Sequence, residues 1–253
     1  LIVFDAEQTQ TETPDLVLAP HAHVKSDAPS LVGIVKASAG GHDLRWPCST
    51  LAYWPVEGLE FVEIAARDAS PARARAFDLF MRAGYKGIVS CARGRFASDR
   101  LISAYLSPVA RFVSSGGGCD DAAHTLREFG FVRPLAALSS SRPEAEQLTD
   151  LAAAQPERGR DVPALLSAVL LSLLDSALEL LKDGSLEHVS QLDVLAREVI
   201  DFPLGRGSLG RYLNPTNVSS RIDELDPSGG ELLSERALER AHRYVRDGRP
   251  FYR

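Results

Sequence analysis

One glutamate of the sequence lies at the kind of position where α/β sheets usually carry functional residues. Glu63 lies near the C-terminal end of an alternating run, L-E-F-V-E-I over 59–64, which predicts a β-strand. Glu60 belongs to the same run, but strand side chains alternate, so the two carboxylates face opposite sides and cannot form a paired acid–base site. Ligands of α/β sheets bind at the C-terminal ends of strands, which makes Glu63 a candidate site residue. A solvated strand end explains Glu63 equally well on these residues alone.

Charged residues gather again where the sequence pattern changes from strands to helices, at Arg95, Asp99 and Arg100. A carboxylate near a helix start complements the helix dipole, and this role is sufficient to explain Asp99. A position between two domains is also a common place for ligands, so a binding role stays open for these residues.

Two other motifs fail the test of context. The run 205–210 reads G-R-G-S-L-G and matches the dinucleotide fingerprint, which binds a pyrophosphate only between a strand and a helix. A helical pattern ending at Phe202-Pro203 precedes it, so we predict a glycine-rich turn between helices and no cofactor-binding residue there. His21 and His23 lack the further ligands of a metal site, and we predict a surface pair and no bound metal.

Composition excludes several classes of protein. The chain has 253 residues, 45% of them hydrophobic and 25% charged, with a net charge of −6. Three cysteines without a C-x-x-C motif argue against a disulfide scaffold or a zinc ribbon. The acidic balance gives no electrostatic case for a nucleic-acid partner. The most apolar stretch, 163–181, is interrupted by polar residues and is short of the about 20 apolar residues of a membrane span. We therefore expect a cytoplasmic protein that has no membrane span.

The pattern of apolar residues predicts an α/β part followed by an all-helical part. In the first part, 1–4 predicts the tail of a strand, and Ser70-Pro71 predicts the start of a helix that Gly84 ends. Further strands are predicted at 16–19, 31–35, 59–64 and 86–91. Helices are predicted at 72–83, 99–113, 120–129 (with Asp120 as its cap), 162–182, 192–200 and 235–247. The polar stretch 139–160 predicts a linker or a loosely packed helix.

Two blocks of the helical part follow the same plan. Each of 99–135 and 162–209 reads as a long amphipathic helix, a glycine stop, a shorter helix and a turn containing phenylalanine. The distance along the chain between the starts of the two blocks is typical of a duplicated helical module, since the repeating units of solenoids are shorter.

From about residue 26 onward, the chain resembles the 3-hydroxyacyl-CoA dehydrogenase part of the multifunctional α chain of fatty-acid β-oxidation. The family's S-N-T-S-S-L, H-F-F-N-P and V-E-V runs correspond to S-D-A-P-S-L, L-A-Y-W-P and V-E-I here, with Glu63 twelve residues after Leu51 as in the family. Its G-F-x-x-N-R opening of the helical domain corresponds to R-F-A-S-D-R over 95–100. The F-P-L-G-R-G run over 202–207 and the ending G-R-P-F-Y are also similar.

The resemblance implies a fold, a cofactor and a site. The implied fold is a partial Rossmann-like domain of the NAD-binding type over 1–93, a first helical module with its linker over 94–155, and a second helical module over 156–253. NAD is the family's cofactor. Glu63 matches the glutamate that orients the family's catalytic histidine. The resemblance places substrate-binding residues at Ser26, Ser30, Asp99 and Arg100.

Departures from the family's pattern fall on the site itself. Leu51 stands where the family has the histidine, and leucine cannot accept a proton. Asp99 replaces an asparagine, and an ionised carboxylate cannot donate a hydrogen bond. Arg95 replaces a glycine, and Pro29 falls near the serine that touches the substrate hydroxyl. The family's first nucleotide-binding unit has no counterpart in the chain. We therefore expect this chain alone neither to bind NAD nor to oxidise 3-hydroxyacyl-CoA.

Three hypotheses follow. In the first, the chain is a degenerate or partial dehydrogenase region whose role is structural or acyl-CoA-binding, for example beside an upstream hydratase domain or a thiolase chain. In the second, it is the active dehydrogenase part of a larger multifunctional enzyme, with His42 or sequence outside the chain supplying the missing groups. In the third, it is a non-enzymatic binding module.

Overall fold

The structure is a computed structural model that describes residues 16–19, 32–36, 50–55, 60–66, 71–91, 95–133, 162–225 and 231–252. Several predicted features lie outside these residues: the strand at 1–4, the linker at 139–160, and His21, His23, Ser26, Ser30 and His42. The chain divides into two compact units, Leu1–Ala97 and Ser98–Arg253. The division between two helical modules near 155 falls among residues that are not described, so the three-part organisation stays a prediction.

The first unit contains a five-stranded sheet whose strands follow one another in chain order. The strands are β1 (Leu16–Ala19), β2 (Val32–Lys36), β3 (Thr50–Pro55), β4 (Phe61–Ala66) and β5 (Lys86–Cys91). Every neighbouring pair is parallel except β3 and β4, which are antiparallel. This confirms the predicted α/β start of the chain. β3 was not among the predicted strands, because its T-L-A-Y-W-P run does not alternate.

Helix α1 (Pro71–Arg82) connects β4 to β5, as a parallel pair requires. Gly84 follows it with φ of +90°, a conformation that glycine adopts without steric cost. The amide of Tyr85 donates to the carbonyl of Phe80, 3.0 Å away, which completes the C-terminal turn of the helix. The predicted helix and its glycine stop are confirmed to within one residue at each end.

All the regular secondary structure that the structure describes in the second unit is helical. Its helices are α2 (Ala97–Ser114, whose first residue belongs to the first unit), α3 (Cys119–Phe129), α4 (Val162–Lys182), α5 (Val189–Ile200), α6 (Leu209–Tyr212), α7 (Pro215–Glu224) and α8 (Glu235–Asp247). Leu204–Arg206 forms a short 3-10 turn.

Some details of these helices differ from the prediction: the short α6 was not predicted, and α5 begins three residues before the predicted 192. The N-cap of α3 is Gly118, and Asp120 lies within the first turn, where it favours the helix dipole without capping. Helix α7 was not predicted, although its start carries a recognisable signal. The Asn214 side chain accepts a hydrogen bond from the amide of Asn217, and Pro215 occupies the first helical position.

Helix α4 is the central helix of the second unit. It packs against α3, α7 and α8, and most of its apolar residues from Leu165 to Leu180 are buried, with Leu166 and Leu178 only partly so. By length and composition alone the segment Ala164–Lys182 is apolar enough to cross a membrane, but 67% of it is buried inside the protein. We interpret it as a core helix, which agrees with the prediction from its interrupting polar residues.

The two predicted phenylalanine turns meet in one aromatic cluster. Phe131 follows α3 and Phe202 follows α5, and their ring centroids lie 5.9 Å apart. Phe129 and Tyr212 complete the contact, at 6.2 and 5.7 Å from Phe202. Gly130 ends α3 with φ of +117°, and a Cβ there would lie 2.9 Å from Pro203, so no larger residue fits this turn. Segments predicted as two modules therefore share one core.

We expect Phe202→Ala to lower the free energy of unfolding by about 3–5 kcal/mol, because it removes a buried ring that contacts three others. Denaturant titration followed by circular dichroism measures this change. Leu204→Ala is the matched control two residues away, since that side chain is 68% exposed and should change the stability by about 0.5 kcal/mol or less. Equal effects of the two substitutions would contradict the cluster's importance.

Candidate functional site

The side chain of Glu63 is completely buried, with 0% of it exposed. It lies in β4, between β3 on one side and β5 on the other. The hydroxyl of Ser90 in β5 donates a hydrogen bond to Glu63 Oε1 at 2.5 Å, and the backbone amide of Ala97 donates to the same oxygen at 2.8 Å. All three residues belong to the first unit. The interpretation of Glu63 as a solvated strand end is therefore wrong.

The strand pattern explains how Glu63 reaches this position. Glu60 precedes β4 and is exposed, whereas Glu63 lies within β4, where its neighbours Val62 and Ile64 are also completely buried. Ser90 pairs with Ala65, two residues along β4 from Glu63, and its own side chain is only 3% exposed. A buried carboxylate is costly unless donors satisfy it, so the hydroxyl and the amide are essential to its placement. Sequence reasoning missed Ser90, since nothing along the chain links it to Glu63.

Leu51, the residue at the family's histidine position, lies in β3 and pairs with Ile34 of β2. The residue of β3 that pairs with Glu63 is Trp54. Ser26 and Ser30 are outside the described residues, so their predicted substrate-binding role stays a prediction.

Asp99 and Arg100 lie in the first turn of α2, within the second unit. Asp99 is 3% exposed. The Arg100 guanidinium donates to Asp183 Oδ2 at 2.7 Å and to Ser185 Oγ at 3.1 Å, and it lies 3.7 Å from Glu179. These contacts join the start of α2 to the end of α4. The predicted substrate-binding role of both residues stays a prediction.

The acceptors of Arg100 belong to a wider charge network. Glu179 Oε1 also accepts from Arg236 at 2.5 Å and lies 2.6 Å from Arg240, both on α8. Arg240 donates in addition to Asp175 at 2.7 Å. Burial by itself would raise the pKa of Glu179, but the hydrogen bond from Arg240 and the positive charges of its arginine partners outweigh it and hold that pKa below the ordinary value of 4.5.

The same balance applies to Asp183. Burial would raise the pKa of its carboxyl, but hydrogen bonds from the side chain and amide of Ser185, and then the Arg100 guanidinium, lower the pKa below 3.8. Both carboxylates are therefore held in the charged form at neutral pH.

The glycine-rich run 205–210 has the context that the sequence predicts. Helix α5 precedes it, and the run contains the 3-10 turn and the start of the four-residue α6. Asp193 accepts from the amide of Gly210 at 2.8 Å and from the hydroxyl of Tyr252 at 2.5 Å. A Cβ at Gly210 would lie 2.7 Å from Val189, so this glycine serves the packing of helices. The run is not a dinucleotide fingerprint.

Among the described residues, no group of three or more His, Cys, Asp or Glu side chains is placed to hold a metal ion.

Comparison with solved structures identifies the fold. No family model and no curated protein sequence matches the chain. The structure is similar to that of 3-hydroxybutyryl-CoA dehydrogenase from Escherichia coli, with a TM-score of 0.61 and 10% identity over 92% of this chain and 82% of that one. This chain has that fold. The dehydrogenase part of multifunctional enzyme 1 from C. elegans also matches, with a TM-score of 0.48 and 13% identity over 90% and 71% of the two chains.

We expect Glu63→Ala to lower the free energy of unfolding by about 3 kcal/mol or more, because it leaves the Ser90 hydroxyl and the Ala97 amide without this acceptor inside the protein. Glu60→Ala is the matched control, since that carboxylate is exposed and its loss should cost about 0.5 kcal/mol or less. Denaturant titration of both variants measures the difference. A Glu63 variant as stable as the control would show that the buried carboxylate is dispensable.

The stability of the protein should fall in acid as the charge network is protonated. In the folded protein the pKa values of Glu179 and Asp183 lie below 4.5 and 3.8. The stability that these carboxylates contribute is therefore complete above those two values and is lost as the pH falls through the pKa values of the folded protein. Unfolding free energies measured from pH 7 to pH 3 should decline below about pH 4.5. The unfolding free energy of the double variant Glu179→Gln and Asp183→Asn should fall less steeply with decreasing pH. If it falls as steeply as that of the unmodified chain, these two carboxylates do not cause the acid sensitivity.

Proposed function

We propose that this protein is a divergent relative of the 3-hydroxyacyl-CoA dehydrogenases of fatty-acid β-oxidation, in the form of a degenerate or partial dehydrogenase region. Its role is structural or acyl-CoA-binding. The proposal places it in the cytoplasm, with an upstream hydratase domain or a thiolase chain as partners.

The observation that carries this proposal is the position and environment of Glu63. The carboxylate lies completely buried in β4, in a chain that shares the fold of a 3-hydroxybutyryl-CoA dehydrogenase over 92% of its length. It stands twelve residues after Leu51, the distance that separates the family's histidine and glutamate. Leucine offers no base at that position. Oε1 of Glu63 instead accepts hydrogen bonds from Ser90 and Ala97, which supports a structural role for a former catalytic residue.

The family's cofactor, NAD, does not fit the described residues. A pyrophosphate needs glycine-rich backbone between a strand and a helix, with amides free to approach it. The run that matches this pattern in letters, 205–210, follows a helix, and its Gly210 amide already donates to Asp193. We therefore derive no hydride transfer for this chain alone.

The organisation of the helical unit also supports the proposal. The long helices α2 and α4 are each followed by a shorter helix, α3 and α5, and the turns after these shorter helices meet at Phe131 and Phe202. We infer that these are the two repeated modules of the family's C-terminal part, packed on each other within one chain. A monomer in light scattering agrees with this inference, and an obligate dimer would contradict it.

Two measurements test the proposed function together. With 3-hydroxybutyryl-CoA and NAD, the chain should form no NADH above background, because loss of a positioned base costs about 10²–10⁴-fold in rate. Calorimetric titration with butyryl-CoA should still show saturable binding. The dehydrogenase from Escherichia coli serves as the positive control for both. Clear turnover would favour an active dehydrogenase part, and absence of both signals would favour a binding module unrelated to acyl-CoA.

A further inference from the structure

The Arg100 guanidinium is surrounded by acceptors from one loop. Asp183, Gly184 and Ser185 follow α4, and both the carboxylate of Asp183 and the hydroxyl of Ser185 accept from the same Nη1 atom, at 2.7 and 3.1 Å. Only 16% of the Arg100 side chain is exposed. An arginine held in this way has little freedom to turn toward a ligand.

The loop itself is held rigidly in place. Oδ1 of Asp183 accepts from the backbone amide of Ser185 at 2.9 Å, which leaves Oδ2 for Arg100. Gly184 adopts φ of +73°, and the amide of Leu186 donates back to the carbonyl of Leu180 at 3.0 Å. Ser185 is 1% exposed. Because these contacts hold the acceptors without involving Arg100, the loop can determine where the guanidinium lies.

Arg100 is the fourth residue of α2, and it directly follows Asp99 in the first turn. The first amides of a helix have no partner within the helix, so its first turn frays unless side chains hold it. The hydrogen bonds of Arg100 hold that turn against the end of α4.

We propose that Arg100 is a positioning residue, which fixes the first turn of α2 through Asp183 and Ser185 and does not itself contact the ligand. This inference rests on the proposed acyl-CoA-binding function. It changes the role expected from the resemblance, in which Arg100 belongs to the substrate-binding set. The first turn with Asp99 is the part of the proposed site that Arg100 orders.

The test uses butyryl-CoA binding, measured by calorimetry on the full chain and its variants. Arg100→Met should weaken binding by about tenfold or more, since a small misplacement of a site from a distance is costly. Asp183→Asn should weaken it by a similar factor, and the double variant should be no weaker than the worse single one, because both act through one contact. Arg100→Lys should recover part of the affinity, since it retains the charge and a donor.

Arg236→Met is the matched control. This substitution removes a guanidinium that binds the same Glu179 carboxylate, but this guanidinium belongs to α8 and not to α2. The Arg236 side chain is 68% exposed. Its affinity for butyryl-CoA should stay within about twofold of the unmodified chain. An Arg100→Met variant that binds as this control does would overturn the inference. A loss caused by Arg100→Met alone, with Asp183→Asn unaffected, would indicate direct contact with the ligand and would also overturn it.

Hydrogen exchange gives a second measurement that needs no ligand. The amides of Leu101, Ile102, Ser103 and Ala104 close the first turn of α2, and they should exchange faster in Arg100→Met and Asp183→Asn but not in Arg236→Met. Unchanged exchange would refute the positioning role. Failure of the unmodified chain to bind butyryl-CoA would instead refute the proposed function, while exchange would still decide whether Arg100 orders the turn.

Discussion

The first unit depends on the satisfaction of one carboxylate inside the protein. Glu63 is completely buried, and a buried polar group without hydrogen-bond partners is costly to a fold. The Ser90 hydroxyl of β5 and the amide of Ala97 both donate to its Oε1 atom. Strands β4 and β5 and the end of the first unit must therefore come together to satisfy this carboxyl group. This requirement explains why the buried Glu63 can have a structural role in this sheet.

In the second unit, several charged side chains are satisfied by one another. Arg100, Asp183, Glu179 and the two arginines of α8 join α2, α4 and α8 through partly buried ion pairs. The aromatic cluster joins the turns that follow α3 and α5 through apolar contact. Burial of apolar surface of this kind is the dominant favourable contribution to folding. The proposed loss of catalysis is therefore compatible with a well-ordered structure.

Most of the local structure could be predicted because it depends on local causes. The glycine stop after α1, the apolar periodicity of α4 and the boundaries of α8 follow from spacing and from the residues at the helix ends. β3 was missed because its side chains do not alternate, and α7 because its cap at Asn214 was not used. The helical context of the glycine-rich run was also predicted, and α5 does precede it.

The sequence by itself determined most of the helices and strands, and that Glu63 and Glu60 take opposite faces, because these follow from neighbours along the chain. Only the tertiary structure decided what surrounds the charged residues. Ser90 is 27 residues from Glu63, and Asp183 is 83 residues from Arg100, so no local pattern connects them. Burial strengthens a distant pair such as Ser90 and Glu63 by removing the water that would otherwise compete for its hydrogen bond.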